Sequence, residues 1–114
     1  MPSDDRATEI LRHIGEGYVL MDADFVVKEM NAEAVRVDGR PAAEMIGKAA
    51  WDVWPQYGPE TPLGNLWRTV MRTRVPALME QQSVRAHRDP IWLEVRGFPS
   101  GDGIAIFYLS LIHI

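Results

Sequence analysis

Ile91-Trp92-Leu93-Glu94-Val95-Arg96-Gly97-Phe98 and Ile104-Ala105-Ile106-Phe107-Tyr108-Leu109-Ser110-Leu111 flank the polar turn Ser100-Gly101-Asp102-Gly103. Two β-rich runs around a Gly/Asp/Ser turn read as a hairpin. Side chains alternate across a strand, so Ile91, Leu93, Val95 and Gly97 share one face, and Trp92, Glu94, Arg96 and Phe98 the other. In the second run Ile104, Ile106 and Tyr108 point the same way. Upstream, across a polar turn from Arg85 to Pro90, the run Ala77 to Val84 reads as a third strand. Its facing is open, with either Met79 and Gln81 or Leu78 and Glu80 turned inward.

Before these strands lies the strongest helix signal in the chain. Thr61-Pro62 is a cap followed by proline at the first helical position. Leu63, Leu66, Trp67, Val70 and Met71 then recur at i, i+3, i+4, i+7 and i+8, one unambiguous apolar stripe. Pro76 limits its end. At the other end of the chain, Asp4 or Asp5 can cap a short helix reaching about Ile14, with Ala7, Ile10, Leu11 and Ile14 on one stripe. Tyr18 to Met21 and Val26 to Met30 read as a second hairpin around the turn Asp22-Ala23-Asp24. Asn31 is placed to cap a helix from Ala32 to about Val37, ended by Gly39. Ala42 to Ile46 reads as another short helix, closed by Gly47. Trp51 to Pro55 reads as a single turn stopped by proline, and Gln56 to Glu60 as loop. Strands at both ends with helices between them predict one antiparallel sheet covered by helices, a two-layer α+β architecture.

Composition narrows function. The 114 residues are one domain's worth of chain, 46% hydrophobic and 25% charged, without a single cysteine. A chain of this size buries roughly 65% of the surface it exposes when unfolded, enough for one core. The missing cysteine excludes disulfides, thiolate metal sites and any cofactor tethered through sulfur. No apolar run reaches the roughly 20 residues needed to span a bilayer, and the N-terminus lacks a signal pattern, so the expectation is a cytoplasmic domain without membrane insertion. The net charge is −4, with the deficit of basic residues in residues 1–60. That balance argues against a nucleic-acid partner, since phosphate neutralisation needs a basic face. Catalytic motifs are absent, and His13, His87 and His113 lack metal-ligand spacing, so neither catalytic nor metal residues are assigned.

Five segments in order resemble a PAS domain of the kind found in bacterial histidine kinases and cyclic-dinucleotide enzymes. They are Gly17 to Asp22, Met30 to Ala34, Pro41 to Lys48, Trp51 to Pro55, and Trp92 to Pro99 followed by Gly101-Asp102-Gly103. The resemblance covers residues 8–108. It implies a five-stranded antiparallel β-sheet with flanking helices on one face, a core over residues 17–110, an N-terminal amphipathic helix over 1–16 and an atypical tail over 111–114. The tail departs from the family, because Ser110-Leu111-Ile112 stands where an aspartate-isoleucine-threonine segment usually leads into the output domain.

The resemblance also implies a sensing role. The face with Leu93, Val95, Gly97, Ile106 and Tyr108 would turn toward the helices and toward a small hydrophobic or aromatic ligand. Leu66, Trp67 and Val70 of the long helix would oppose it, with Met21, Met45, Trp54 and Met79 as further walls and Gly97 providing clearance. Haem-binding relatives usually carry a histidine on the long helix, and here it has none, so haem is disfavoured. A covalent flavin needs the absent cysteine, and a non-covalent flavin lacks amide-rich inward positions. Trp92 and Phe98 on the outer sheet face would be covered by Ile10, Leu11 and Ile14, in cis or from a second copy; relatives often dimerise this way, and a homodimer through that surface is the expectation. The competing readings are a filled core in a ligand-free dimerisation or interaction module, and a small α+β enzyme, for which the interior supplies few titratable groups.

Overall fold

The computed structural model describes residues 16–58, 60–83 and 91–110. The expected N-terminal helix with Ile10, Leu11 and Ile14, the turn over 85–90, the three histidines and the tail over 111–114 lie outside the described residues. Five strands form one antiparallel sheet: β1 (Gly17–Met21), β2 (Val27–Met30), β3 (Ala77–Ser83), β4 (Ile91–Ser100) and β5 (Gly103–Ser110), in the order β2-β1-β5-β4-β3. Between β2 and β3 come three helices: α1 (Ala32–Asp38), α2 (Ala50–Val53) and α3 (Pro62–Thr73).

Register fixes the two faces. Gly17, Tyr108, Val95 and Met79 form one row across the sheet, and Val19, Ile106, Gly97 and Ala77 the next. These rows face the helices, because Val19, Val95 and Ile106 share a buried cluster with Ala34 and Val37 of α1, Val53 of α2, and Leu66, Trp67 and Val70 of α3. Pairing of Met79 with Val95 and of Leu78 with Arg96 settles the orientation of β3. Met79 packs on the core, and Leu78 is exposed. A separate cluster of Tyr18, Ala105 and Phe107, with Leu20 and Phe98 against it, covers the outer face and includes no helical residue. Burying a side chain such as Met21, Met45 or Ile104 stabilises the fold by about 2 kcal/mol each.

Local chemistry explains the element ends. Thr61 Oγ1 accepts from the Gly64 amide, satisfying one of the orphan donors at the start of α3. Gly64 must lack a side chain, since a Cβ there would lie 2.0 Å from the Gly58 carbonyl oxygen. Asn31 does more than cap α1. Its Oδ1 accepts from the amides of Ala34 (2.9 Å) and Tyr18 (3.0 Å), and its Nδ2 donates to the Glu16 carbonyl at 2.8 Å. Asp22 closes the first hairpin by accepting from the amides of Asp24 and Val26.

Three expectations are corrected. β2 begins at Val27, while Val26 bridges Ala49; the Val27 amide donates to Lys48 and the Gly47 amide to Val27, so residues 47–49 line the outer edge of β2. Ala42 to Ile46 is only a 3₁₀ turn over Ala42–Glu44, too short to be the expected helix. Residues 56 and 57 are not loop: Pro55 opens a 3₁₀ turn over Pro55–Tyr57, because a residue without an N–H fits a first helical position.

Candidate ligand-binding interior

The residues expected to wall the ligand, Gly97 apart, lie in, or pack on, a single buried cluster. Met21, Met45, Trp54, Leu66, Trp67, Val70, Leu93, Val95 and Ile106 are buried in it, and Met79 and Tyr108 pack against it. Gly97 lies on the same face, but its expected clearance is already used. A Cβ at Gly97 would lie 3.1 Å from Leu66 Cδ2 and 3.2 Å from Val70 Cγ2. The glycine therefore lets α3 sit close to the sheet instead of leaving open space.

Tyr108 reaches the interior across Gly17. A Cβ at Gly17 would fall 2.4 Å from the Tyr108 ring, so only glycine lets the ring lie flat over β1. The Tyr108 hydroxyl donates to the Ala34 carbonyl over a long 3.4 Å. Burial pushes its pKa well up, and the carboxylates of Asp38 and Glu33 add to the rise, so the phenol stays neutral.

The most specific feature is an aromatic group at the α2–α3 end. Trp67 is the hub, with Trp51 at 5.7 Å, Trp54 at 5.9 Å and Tyr57 at 6.3 Å between ring centroids; Phe25 extends the group at 5.1 Å from Trp51. Such tilted and edge-on pairs suit the quadrupoles of aromatic rings. The group runs from the partly exposed Phe25, Trp51 and Tyr57 to the buried Trp54 and Trp67. The sequence reading missed Phe25, Trp51 and Tyr57. The i, i+3 spacing of Trp51 and Trp54, which stacks two residues on one face of a helical turn, is the signal that identifies the first.

The two buried indoles differ in one respect. Trp54 Nε1 donates to Asp38 Oδ2 at 2.7 Å. Trp67 Nε1, on the more deeply buried of the two, has no hydrogen-bond partner among the described residues. Asp38 also takes two bonds from Arg40, at 2.7 and 2.9 Å. Burial alone would raise its pKa, but the bonds from Arg40 and Trp54 outweigh this and hold the carboxyl below its usual value. No group of three His, Asp or Glu side chains among the described residues is close enough to hold a metal ion. No helix among them is long and apolar enough to cross a membrane.

On the outer face, Trp92 is 51% exposed, Leu78 63% and Leu109 37%. Phe98, expected to be open there, is instead partly covered by an edge-on contact with Phe107 at 5.9 Å. Arg96 pairs with Glu16 and lies over the Phe107 ring.

A family model described as the PAS fold matches residues 11–113. A comparison with curated protein sequences finds no match. Among solved structures, the chain is similar to the photoactive yellow protein domain of the sensor histidine kinase Ppr from Rhodospirillum centenum. That match has 21% identity and a TM-score of 0.71, covering 83% of this chain and 91% of the other. A domain of a sensory box sensor histidine kinase/response regulator from Geobacter sulfurreducens aligns at 14% identity and a TM-score of 0.69, covering 94% and 93%. A third is the PAS domain of a LuxR-family transcriptional regulator from Burkholderia thailandensis, solved in complex with ethanol, at 17% identity and a TM-score of 0.59, covering 84% and 88%. At these identities the likeness is one of fold.

Proposed function

The chain belongs to the PAS family, whose members are sensory modules of signalling proteins, and on that premise we propose that it binds a small hydrophobic or aromatic ligand between α3 and the sheet. The observation that carries this reading is the aromatic group, which leads from the partly exposed Phe25, Trp51 and Tyr57 to the buried Trp54 and Trp67. Ligand sites are mostly apolar and aromatic, with a few placed polar groups. Met21, Met45 and Met79 add flexible thioethers, which adapt to a guest. The ethanol held by the Burkholderia relative lends support that this fold admits a small organic molecule. The guest is a freely exchanging molecule: with no cysteine in the chain and no histidine on α3, neither a covalent flavin nor haem has its usual ligand.

Binding regulates a linked output domain in a cytoplasmic signalling protein. A ligand can shift such an equilibrium only by its preference for one state, and α3 is the element placed to transmit it, since it packs on β3, β4 and β5 at once. A thermal-shift screen of indoles, aromatic acids and flavins tests the reading. At least one class raises the midpoint in a saturable manner; no stabilisation by any class refutes ligand binding.

The exposed Trp92, Leu78 and Leu109 favour a second activity of the same domain, homodimerisation through the outer sheet face. Light scattering checks it: a Trp92→Lys variant is monomeric at concentrations where the parent is a dimer. A parent that stays monomeric at high concentration removes this reading.

A further inference from the structure

We infer that the guest is a neutral, flat molecule presenting one hydrogen-bond acceptor to Trp67 Nε1. This rests on the ligand-binding reading above and adds the chemical class that the site selects. Trp67 is 4% exposed, and its indole N–H has no partner among the described residues. A buried donor without an acceptor is a standing penalty, and most such groups in folded proteins are paired. Trp54, its ring centroid 5.9 Å away in the same group, shows the usual solution: its N–H is taken by Asp38. Trp67 lacks that solution, and aromatic rings surround it.

Flatness follows from the neighbours. Trp51, Trp54 and Tyr57 present three rings to Trp67 at 5.7 to 6.3 Å, and a flat guest meets such rings face-on or edge-on. Neutrality follows from the charges. No buried polar or charged residue stands among the described core residues to balance an anion. The carboxylate nearest the group is Asp38, bonded to Trp54, and its cation Arg40 is already held in a two-bond pair. An aromatic acid would bury its charge beside a like charge without a free counter-ion, which is strongly disfavoured. A ketone, amide or heteroaromatic nitrogen can accept from Trp67 without that penalty.

The test uses three probes of one shape on the unmodified chain: 1-indanone, which carries a carbonyl acceptor, indane, which has none, and indane-1-carboxylate. Titrations are followed by the indole N–H resonances in proton–nitrogen spectra. 1-Indanone binds about tenfold more tightly than indane, the gain expected when a buried orphan donor finds a neutral acceptor. The Trp67 indole proton moves downfield with it, and the carboxylate binds more weakly than the ketone. In Trp67→Phe the preference for 1-indanone over indane disappears; should that variant fold poorly, the comparison of probes on the parent chain decides alone. Equal binding of 1-indanone and indane overturns the acceptor assignment while the ligand-binding reading stands, because the N–H is then satisfied by a ring face or a water. Tightest binding by the carboxylate also overturns it. Binding of none of the three overturns the acceptor assignment, while the ligand-binding reading is decided separately by the thermal-shift screen.

Discussion

Replacing Asn31 by alanine should cost far more than the loss of a helix cap. The cap itself, Oδ1 to the Ala34 amide, contributes about 1 kcal/mol. The same oxygen also holds the Tyr18 amide, and Nδ2 holds the Glu16 carbonyl, at 3.0 and 2.8 Å. Each is worth about 1 kcal/mol net, and more where the deserted group is shielded from water, as the amide of the buried Tyr18 is. The expected loss in Asn31→Ala is therefore about 3 kcal/mol, a fall of roughly 10 °C in Tm for a domain of this size. Urea unfolding followed by tryptophan fluorescence measures it, with an unchanged m-value showing that the denatured state is the same. Asn31→Ser separates the parts: serine still caps α1 but is too short to reach across to β1, so it loses about 2 kcal/mol. If Asn31→Ala costs no more than an ordinary cap, about 1 kcal/mol, the clamp between β1 and α1 is not an energetic feature of the fold.

Gly64→Ala should destabilise, against the usual helix preference for alanine. The gain of about 1 kcal/mol in propensity is outweighed by a Cβ placed 2.0 Å from the backbone oxygen of Gly58, and a net loss of about 2 kcal/mol in urea unfolding is expected. The Asp38 carboxyl is held below its usual value of 3.8 in the fold, so its contribution is full above that pH and is lost as pH falls through the lowered value. Asp38→Asn removes that part of the acid dependence, so the parent is the more stable above pH 3.8 and its advantage shrinks as pH falls through the lowered value; parallel acid titrations followed by circular dichroism would show a gap that does not change with pH if the pair contributed nothing. Tyr108 has the opposite sign. Its phenol is raised above the ordinary value of 10.0, so the stability linked to it is present below pH 10 and is lost as pH rises further, and Tyr108→Phe flattens the alkaline limb of unfolding.

The sheet faces are legible because burial alternates in β4, where Leu93 and Val95 are buried and Trp92 is exposed; in β5 both faces are covered, Ile104 and Ile106 by the helix-side cluster and Ala105 and Phe107 by the outer one. The long helix was legible from its stripe, which places Leu63, Leu66, Trp67 and Val70 on the core. Features made by residues distant in sequence were not. Nothing in Gly47-Lys48-Ala49 indicates pairing with the edge of β2, because its partners Val26 and Val27 lie about twenty residues away. Asn31 was recognisable as a cap but not as the tie to Tyr18 and Glu16, which depends on where β1 passes. A glycine such as Gly97 suggests free space in the sequence because a strand does not reveal how closely a helix crosses it; Leu66 and Val70 fill that gap. Pro55 suggests a stop in the sequence, but proline at a first helical position also starts a turn, as it does here over Pro55–Tyr57.

Lodging of a guest between α3 and the sheet is read out by methyl spectra of the protein labelled at methionine and leucine and titrated with 1-indanone. Saturable shifts are expected at Met21, Met45 and Leu66, which lie in the core cluster, and none at Leu78 or Leu109 on the outer face. Unmoved core methyls, or shifts confined to Leu78 and Leu109, would contradict that placement.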